Sequence, residues 1–223
     1  YIIPSSIITL LLMQFDKVIL AKSLTITELG LYFVAFNFSS AAAAFAIQYA
    51  RNVVQPYIAI VYREAPETFK QKYYNKRINI SFVIALLLGG LSGASTVFFD
   101  VLYDDRYLDA AYYLSILLIM PVMALITYPA EIALILHGEL RMTLLANGMR
   151  LLWFVCATWI GYVLWGVFGL LLAIGLVELL PAIYMGVKLV RLHLFKPFQE
   201  VMIIFSALLG FGISYFCISL FSL

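Results

Sequence analysis

Six ionisable side chains lie within long apolar runs of this 223-residue chain: Asp16, Lys17, Arg51, Glu131, Arg150 and Glu178. A charge inside a bilayer is costly, so each is a functional candidate by default. Arg51 stands in the stretch QYARNVVQP, residues 48 to 56, after a run of alanines and before YIAIV. Asn37, Ala41, Ala44, Gln48, Arg51 or Asn52, and Gln55 recur at steps of three and four, which puts them on one face of a helix. An Arg turned to hydrocarbon is disfavoured by roughly 3 kcal/mol or more. That face is therefore expected to line protein or water. The planar fork of Arg51 suits the oxygens of a diphosphate, and Gln48, Asn52 and Gln55 suit sugar hydroxyls. The competing reading is an interhelical ion pair, or an Arg snorkelling to the nearer boundary.

Asn147 and Arg150, three residues apart, form a second polar patch suited to the same substrate. Arg150 is equally suited to pair with Glu131 or Glu178. Asp16 and Lys17 are adjacent near a helix end and read first as a local ion pair, with Asp16 also a candidate for ion coupling. Glu131 follows Pro129, and Glu178 precedes Pro181. Proline frees backbone carbonyls, and a carboxylate beside them suits a coupling ion or proton. Salt bridging to Arg51 or Arg150 is the alternative for both. His137 and His193 are far apart, and Cys156 and Cys217 lie in apolar runs without metal-ligand spacing, so neither a metal site nor a cofactor is expected.

These residues must be positioned by membrane helices. The chain is 65% hydrophobic and 12% charged, with a mean hydropathy of +1.02. Soluble domains are nearer half apolar and a quarter charged. An all-α polytopic transmembrane bundle of about seven helices follows, over 2–22, 26–62, 78–99, 108–136, 142–165, 168–190 and 198–221. Thr25 and Glu28 have capping-box spacing for the second helix, and Pro197 suits the start of the seventh. The second helix, at roughly 54 Å, exceeds a hydrocarbon core of about 30 Å. It must tilt, project, or kink near Pro56. Gly89 and Gly93 form a Gly-x-x-x-Gly packing motif in the third helix.

Lys and Arg set the orientation. Arg63, Lys70, Lys72, Lys76, Arg77, Arg141, Lys188, Arg191 and Lys196 fall on one side, against Lys17, Lys22 and Arg106 on the other. Loops 63–77, 137–141 and 191–197 are thus expected to be cytoplasmic. The chain opens on Tyr1 with an apolar run and reads as a fragment or one half of a longer protein.

Three stretches carry a family resemblance. FDKVILAKSLTITELGLYFVAFNF, residues 15–38, joins an Asp-Lys pair to Glu-Leu-Gly-x-Tyr and a helix of small residues. LYDDRYLDAAYYLSILL, residues 102–118, has a Tyr-x-x-Ala helix start, with Asp104 where glycine is usual. LHGELRMTLLANGMRLL, residues 136–152, is followed by WGVFGLLLAIGLVELL, residues 165–180. In order and spacing the chain resembles the second half of polysaccharide-export flippases, the O-antigen-type members of the multidrug/oligosaccharidyl-lipid/polysaccharide exporter superfamily.

The resemblance implies one lobe of a two-lobe transporter around a central cavity that opens alternately to either side. Residues 1–190 would form the six-helix C-terminal lobe, and 191–223 an additional transmembrane helix. The substrate implied is undecaprenyl-pyrophosphate-linked oligosaccharide, flipped from the inner to the outer leaflet of a bacterial or archaeal plasma membrane. The implied partners are that lipid-linked glycan, membrane lipids, the N-terminal lobe and the polysaccharide polymerase machinery, with no nucleic acid. A cavity role for Lys17 also rests on the resemblance.

Two other classes compete. A cation-coupled drug or small-molecule antiporter of the same superfamily would favour acidic and aromatic lining over Arg51 and Arg150. A membrane enzyme would need converging acids, bases or metal ligands at an aqueous face, which this sequence does not offer.

Overall fold

The computed structural model describes residues 24–221, with Pro4, Ile7, Ile8 and Leu20 ahead of them. The first expected span, with Asp16 and Lys17, lies outside the described residues. The rest is helix joined by short turns, and the described residues contain no strand.

Helix α1, Ile26–Tyr49, starts at the expected capping box. Thr25 accepts from the Glu28 backbone N–H at 3.3 Å, and Glu28 accepts from the Thr25 backbone N–H at 2.9 Å. The helix continues through a π-helical turn, Ala50–Val54, into α2, Gln55–Glu64. A short 3-10 turn, Pro66–Thr68, leads to α3, Phe69–Gly93. Then follow α4, Ser95–Leu102, α5, Leu108–Leu117, and α6, Ile119–Leu136. Helices α7, Met142–Gly175, α8, Leu179–Arg191, and α9, Pro197–Phe221, complete the bundle.

Five helical stretches are long and apolar enough to cross a bilayer: Ile26–Glu64, Pro66–Gly93, Leu108–Leu136, Met142–Arg191 and Pro197–Leu220. The fourth runs for 50 residues, which as a straight rod would reach roughly 75 Å. It folds back instead at Gly166, whose φ of 60° and ψ of −139° leave the helical region. The Trp153 indole N–H donates to the Ala173 carbonyl at 2.8 Å. Twenty residues along a straight helix would separate them by roughly 30 Å. The reversal matches the two spans expected over 142–165 and 168–190.

The stretch 63–77, expected as a polar loop, is mostly helical, which corrects that boundary. Only Ala65 and the turn Pro66–Thr68 interrupt the helices, and α3 begins at Phe69. Its first turns look polar through Lys70, Gln71, Lys72, Asn75 and Lys76, and they also carry Tyr73, Tyr74 and Arg77. Those three side chains nevertheless share one buried face, turned towards α9.

Helix α9 packs along α3 through the Gly-x-x-x-Gly pair. A Cβ at Gly89 would lie 1.9 Å from the Ala207 carbonyl oxygen, and one at Gly93 would lie 2.5 Å from that of Phe211. Only glycine admits backbones this close. Gly89→Leu should therefore cost at least the ~1–3 kcal/mol of an overpacked core. The thermal unfolding midpoint should fall by several degrees, whereas Gly212→Leu, on α9 with open space around it, should leave it unchanged.

Candidate functional site

The polar face of α1 remains open. Asn37, Ala41, Ala44, Gln48, Arg51, Asn52 and Gln55 are all exposed, while Ala35, Ser39, Ala43, Ala46, Tyr49, Ala50 and Val54 turn into the bundle. Burial of the opposite face is what fixes this one outwards. At Arg51 the helix widens into its π-helical turn, where the Gln55 backbone N–H bonds back to the Ala50 carbonyl. Pro56 explains the site of the turn. It has no N–H to donate to the preceding turn, and local widening absorbs the missing bond. Such single π-turns recur at functional sites.

Arg51 makes no hydrogen bond or ion pair among the described residues. The turn that carries it packs against α6. Tyr128 is half-buried on α6. Its ring lies beside the Arg150 guanidinium, 4.9 Å from the ring centroid.

Arg150 and Asn147 do not join the open face. Both are buried. Arg150 binds Glu178 through two parallel bonds, Nε to Oε1 and Nη2 to Oε2, each 2.9 Å, and donates through Nη1 to the Asn147 Oδ1 at 2.7 Å. Of the roles open to Arg150, pairing with Glu178 is the one adopted. Glu131 stands on the other side. Its Oε1 accepts from the Thr143 hydroxyl at 2.6 Å, and its Oε2 is 3.8 Å from Arg150 Nη2 and receives no hydrogen bond among the described residues. One guanidinium thus faces two carboxylates, saturates one and leaves the other partly unmet. Among the described residues no group of His, Cys, Asp and Glu could hold a metal ion.

Two features escaped the sequence reading. Tyr128 was passed over because a tyrosine in an apolar helix is normally core or a boundary anchor, although it directly precedes the Pro129 that drew notice to Glu131. The second is a buried cluster of Arg77, Glu200, Tyr73 and Tyr74 joining α3 to α9. Glu200 is a carboxylate three residues inside the last apolar span, and that position was its available signal.

An open polar face carrying a free guanidinium, backed by buried ion pairs, on long apolar helices, defines an all-α polytopic membrane protein. The sequence model of the polysaccharide biosynthesis protein family matches residues 1–112, half of the chain. The chain belongs to that family. The matched region includes the whole α1 face with Arg51, whereas Glu131, Arg150 and Glu178 lie beyond it. No curated protein and no solved structure matches the chain.

Proposed function

We propose that this protein is a lobe of a flippase that carries undecaprenyl-pyrophosphate-linked oligosaccharide from the inner to the outer leaflet by alternating access. The observation that carries the reading is Arg51: exposed, unpaired among the described residues, and set in a π-helical turn on a face of small and amide side chains. A cation so placed within a span is unfavourable against lipid. It is accommodated when the face borders a hydrated cavity closed by the other lobe. There Arg51 holds the diphosphate as a planar fork, Gln48, Asn52 and Gln55 meet sugar hydroxyls, and the prenyl tail stays in lipid. The work is translocation and no covalent bond changes. The Lys- and Arg-rich ends of the helices face the cytoplasm of a bacterial or archaeal cell. Coupling to a cation or proton falls to Glu131 rather than Glu178, because Arg150 already occupies both oxygens of Glu178.

The test is a strain whose only copy carries Arg51→Ala. Surface glycan should fall to background with the protein inserted at its native level. Arg51→Lys, which keeps charge and loses the fork, should retain partial export. Normal surface glycan in the Arg51→Ala strain would refute the assignment. A cation-coupled antiporter would instead show drug efflux that survives Arg51→Ala and is lost in Glu131→Gln.

A further inference from the structure

We infer that one face of α3 binds an anionic phospholipid, its phosphate held by Lys72 and Lys76 and one acyl chain lying in the groove between α3 and α9. The inference is independent of the reading of Arg51.

The twenty residues between Asn79 and Asp100 carry no charge and no side-chain amide, and about twenty such residues cross a hydrocarbon core. Lys72, Asn75, Lys76 and Asn79 come just before that run, at headgroup level, and all four are exposed. Lys72 and Lys76 stand one turn apart, and neither has an Asp or Glu three or four residues away. The nearest acids in sequence, Glu64 and Glu67, precede the helix. Like charges so spaced repel each other. Neither lysine makes a hydrogen bond or ion pair among the described residues. Lys76 lies over the Tyr57 ring, 5.4 Å from its centroid, which steadies the ammonium without neutralising it. A phosphate brought between the two lysines removes the repulsion and accepts from both.

The same face leads to the groove. From Lys72 to Lys76, Asn79, Val83, Leu87 and Gly90 the steps are four, three, four, four and three residues, which keeps them on one side of the helix. Lys and Asn give way to Val83 and Leu87, both exposed, where headgroup gives way to hydrocarbon. Leu86 and Gly90 then form one wall of a groove of about 480 Å³, and Gly210, Ile213 and Ser214 of α9 form the other. The groove is open because Gly90 has no side chain: a Cβ there would already lie 3.3 Å from the Ser214 Oγ. Eleven residues separate Asn79 from Gly90. They rise roughly 16 Å, about half of a ~30 Å hydrocarbon core. A phospholipid whose phosphate rests on Lys76 thus brings the end of its acyl chain into the groove. An undecaprenyl chain is far longer than that depth.

The full chain in phosphatidylcholine nanodiscs is doped with phosphatidylglycerol carrying a photoreactive group near the end of one acyl chain, or with the matching phosphatidylcholine probe. The phosphatidylglycerol probe should label residues 86–94 and 210–214, and the phosphatidylcholine probe should label them several-fold less. Lys72→Gln and Lys76→Gln should each lower that labelling about 5-fold, whereas Lys76→Arg, which keeps the charge, should label like the parent. Lys70→Gln removes the same charge two residues away, off this face, and should change nothing. Ile213→Trp, at an exposed position, should fill the groove and block labelling there. Parent-like labelling in the double variant Lys72→Gln, Lys76→Gln refutes the headgroup contact. Equal labelling by the two probes, or a loss in Lys70→Gln as large as in Lys76→Gln, shows only a general attraction to a basic helix end and also refutes the site. If farnesyl diphosphate displaces the probe and excess unlabelled phosphatidylglycerol does not, the face belongs to a prenyl diphosphate and the phospholipid assignment is overturned.

Discussion

Glu178→Ala should destabilise the bundle by roughly 3–5 kcal/mol, the usual consequence of leaving one member of a buried ion pair alone. Arg150 is buried between the arms of α7, α6 and the start of α8. Without Glu178 it keeps Asn147 and the more distant Glu131 oxygen, neither of which replaces two charge-assisted bonds. At about 2–4 °C per kcal/mol for a chain of this size, the unfolding midpoint in detergent should fall by roughly 10 °C. Glu178→Gln preserves one acceptor and should cost less. The double variant Arg150→Met, Glu178→Leu removes both charges with similar volume and should recover most of the loss. A double variant as unstable as Glu178→Ala would show that packing, not the orphaned charge, sets the cost.

Helix positions were legible in the sequence where one physical signal dominated. Apolar length marked out an all-α membrane bundle, in which five stretches among the described residues are long and apolar enough to cross a bilayer, Thr25 and Glu28 placed the start of α1, and Gly89 with Gly93 anticipated the close approach of α9. The face bearing Arg51 was legible because three- and four-residue spacing survives whatever partner the helix has. The stretch 63–77 was misread because charge was taken as a sign of loop, whereas Arg77 is neutralised by Glu200, more than a hundred residues away. Long-range pairing of this kind leaves no local trace. Arg150 illustrates the same limit. Its residue type and depth suited a cavity as well as an ion pair, and the fold-back at Gly166 brings Glu178 beside it to form the pair. The π-helical turn was legible in part: Pro56 marked a break, but nothing in composition distinguishes a kink from a widened turn.

Glu200→Ala should loosen α9 from α3, and with a cost comparable to that of Glu178→Ala. Arg77 is almost wholly buried, with 1% of its surface exposed. It donates to Glu200 through Nη1 at 2.9 Å and Nη2 at 2.5 Å, and through Nη1 to the Tyr73 hydroxyl at 2.5 Å. Tyr74 donates to Glu200 at 3.1 Å and accepts from the Lys196 backbone N–H at 3.1 Å, tying the turn before α9 into the cluster. The Arg77 Nε finds no partner among the described residues, so the guanidinium has no donor contacts to spare when the carboxylate is removed. The remaining hydroxyl of Tyr73 and the faces of the two tyrosine rings, 5.2 and 5.7 Å away, recover a smaller part of the energy. Breaking the pair should cost about 3–5 kcal/mol. Because α9 is otherwise held mainly by close helix contact, the loss should be local before it is global. Limited trypsin digestion should cut at Arg191, where α8 ends ahead of α9, markedly faster in Glu200→Ala, with the Arg150 region still protected. Arg77→Met combined with Glu200→Leu should restore protection, whereas Gly89→Leu combined with Glu200→Ala should release α9 altogether. Unchanged cleavage at Arg191 in Glu200→Ala would mean that the glycine contact alone holds the last helix, and that the buried pair serves only to neutralise itself.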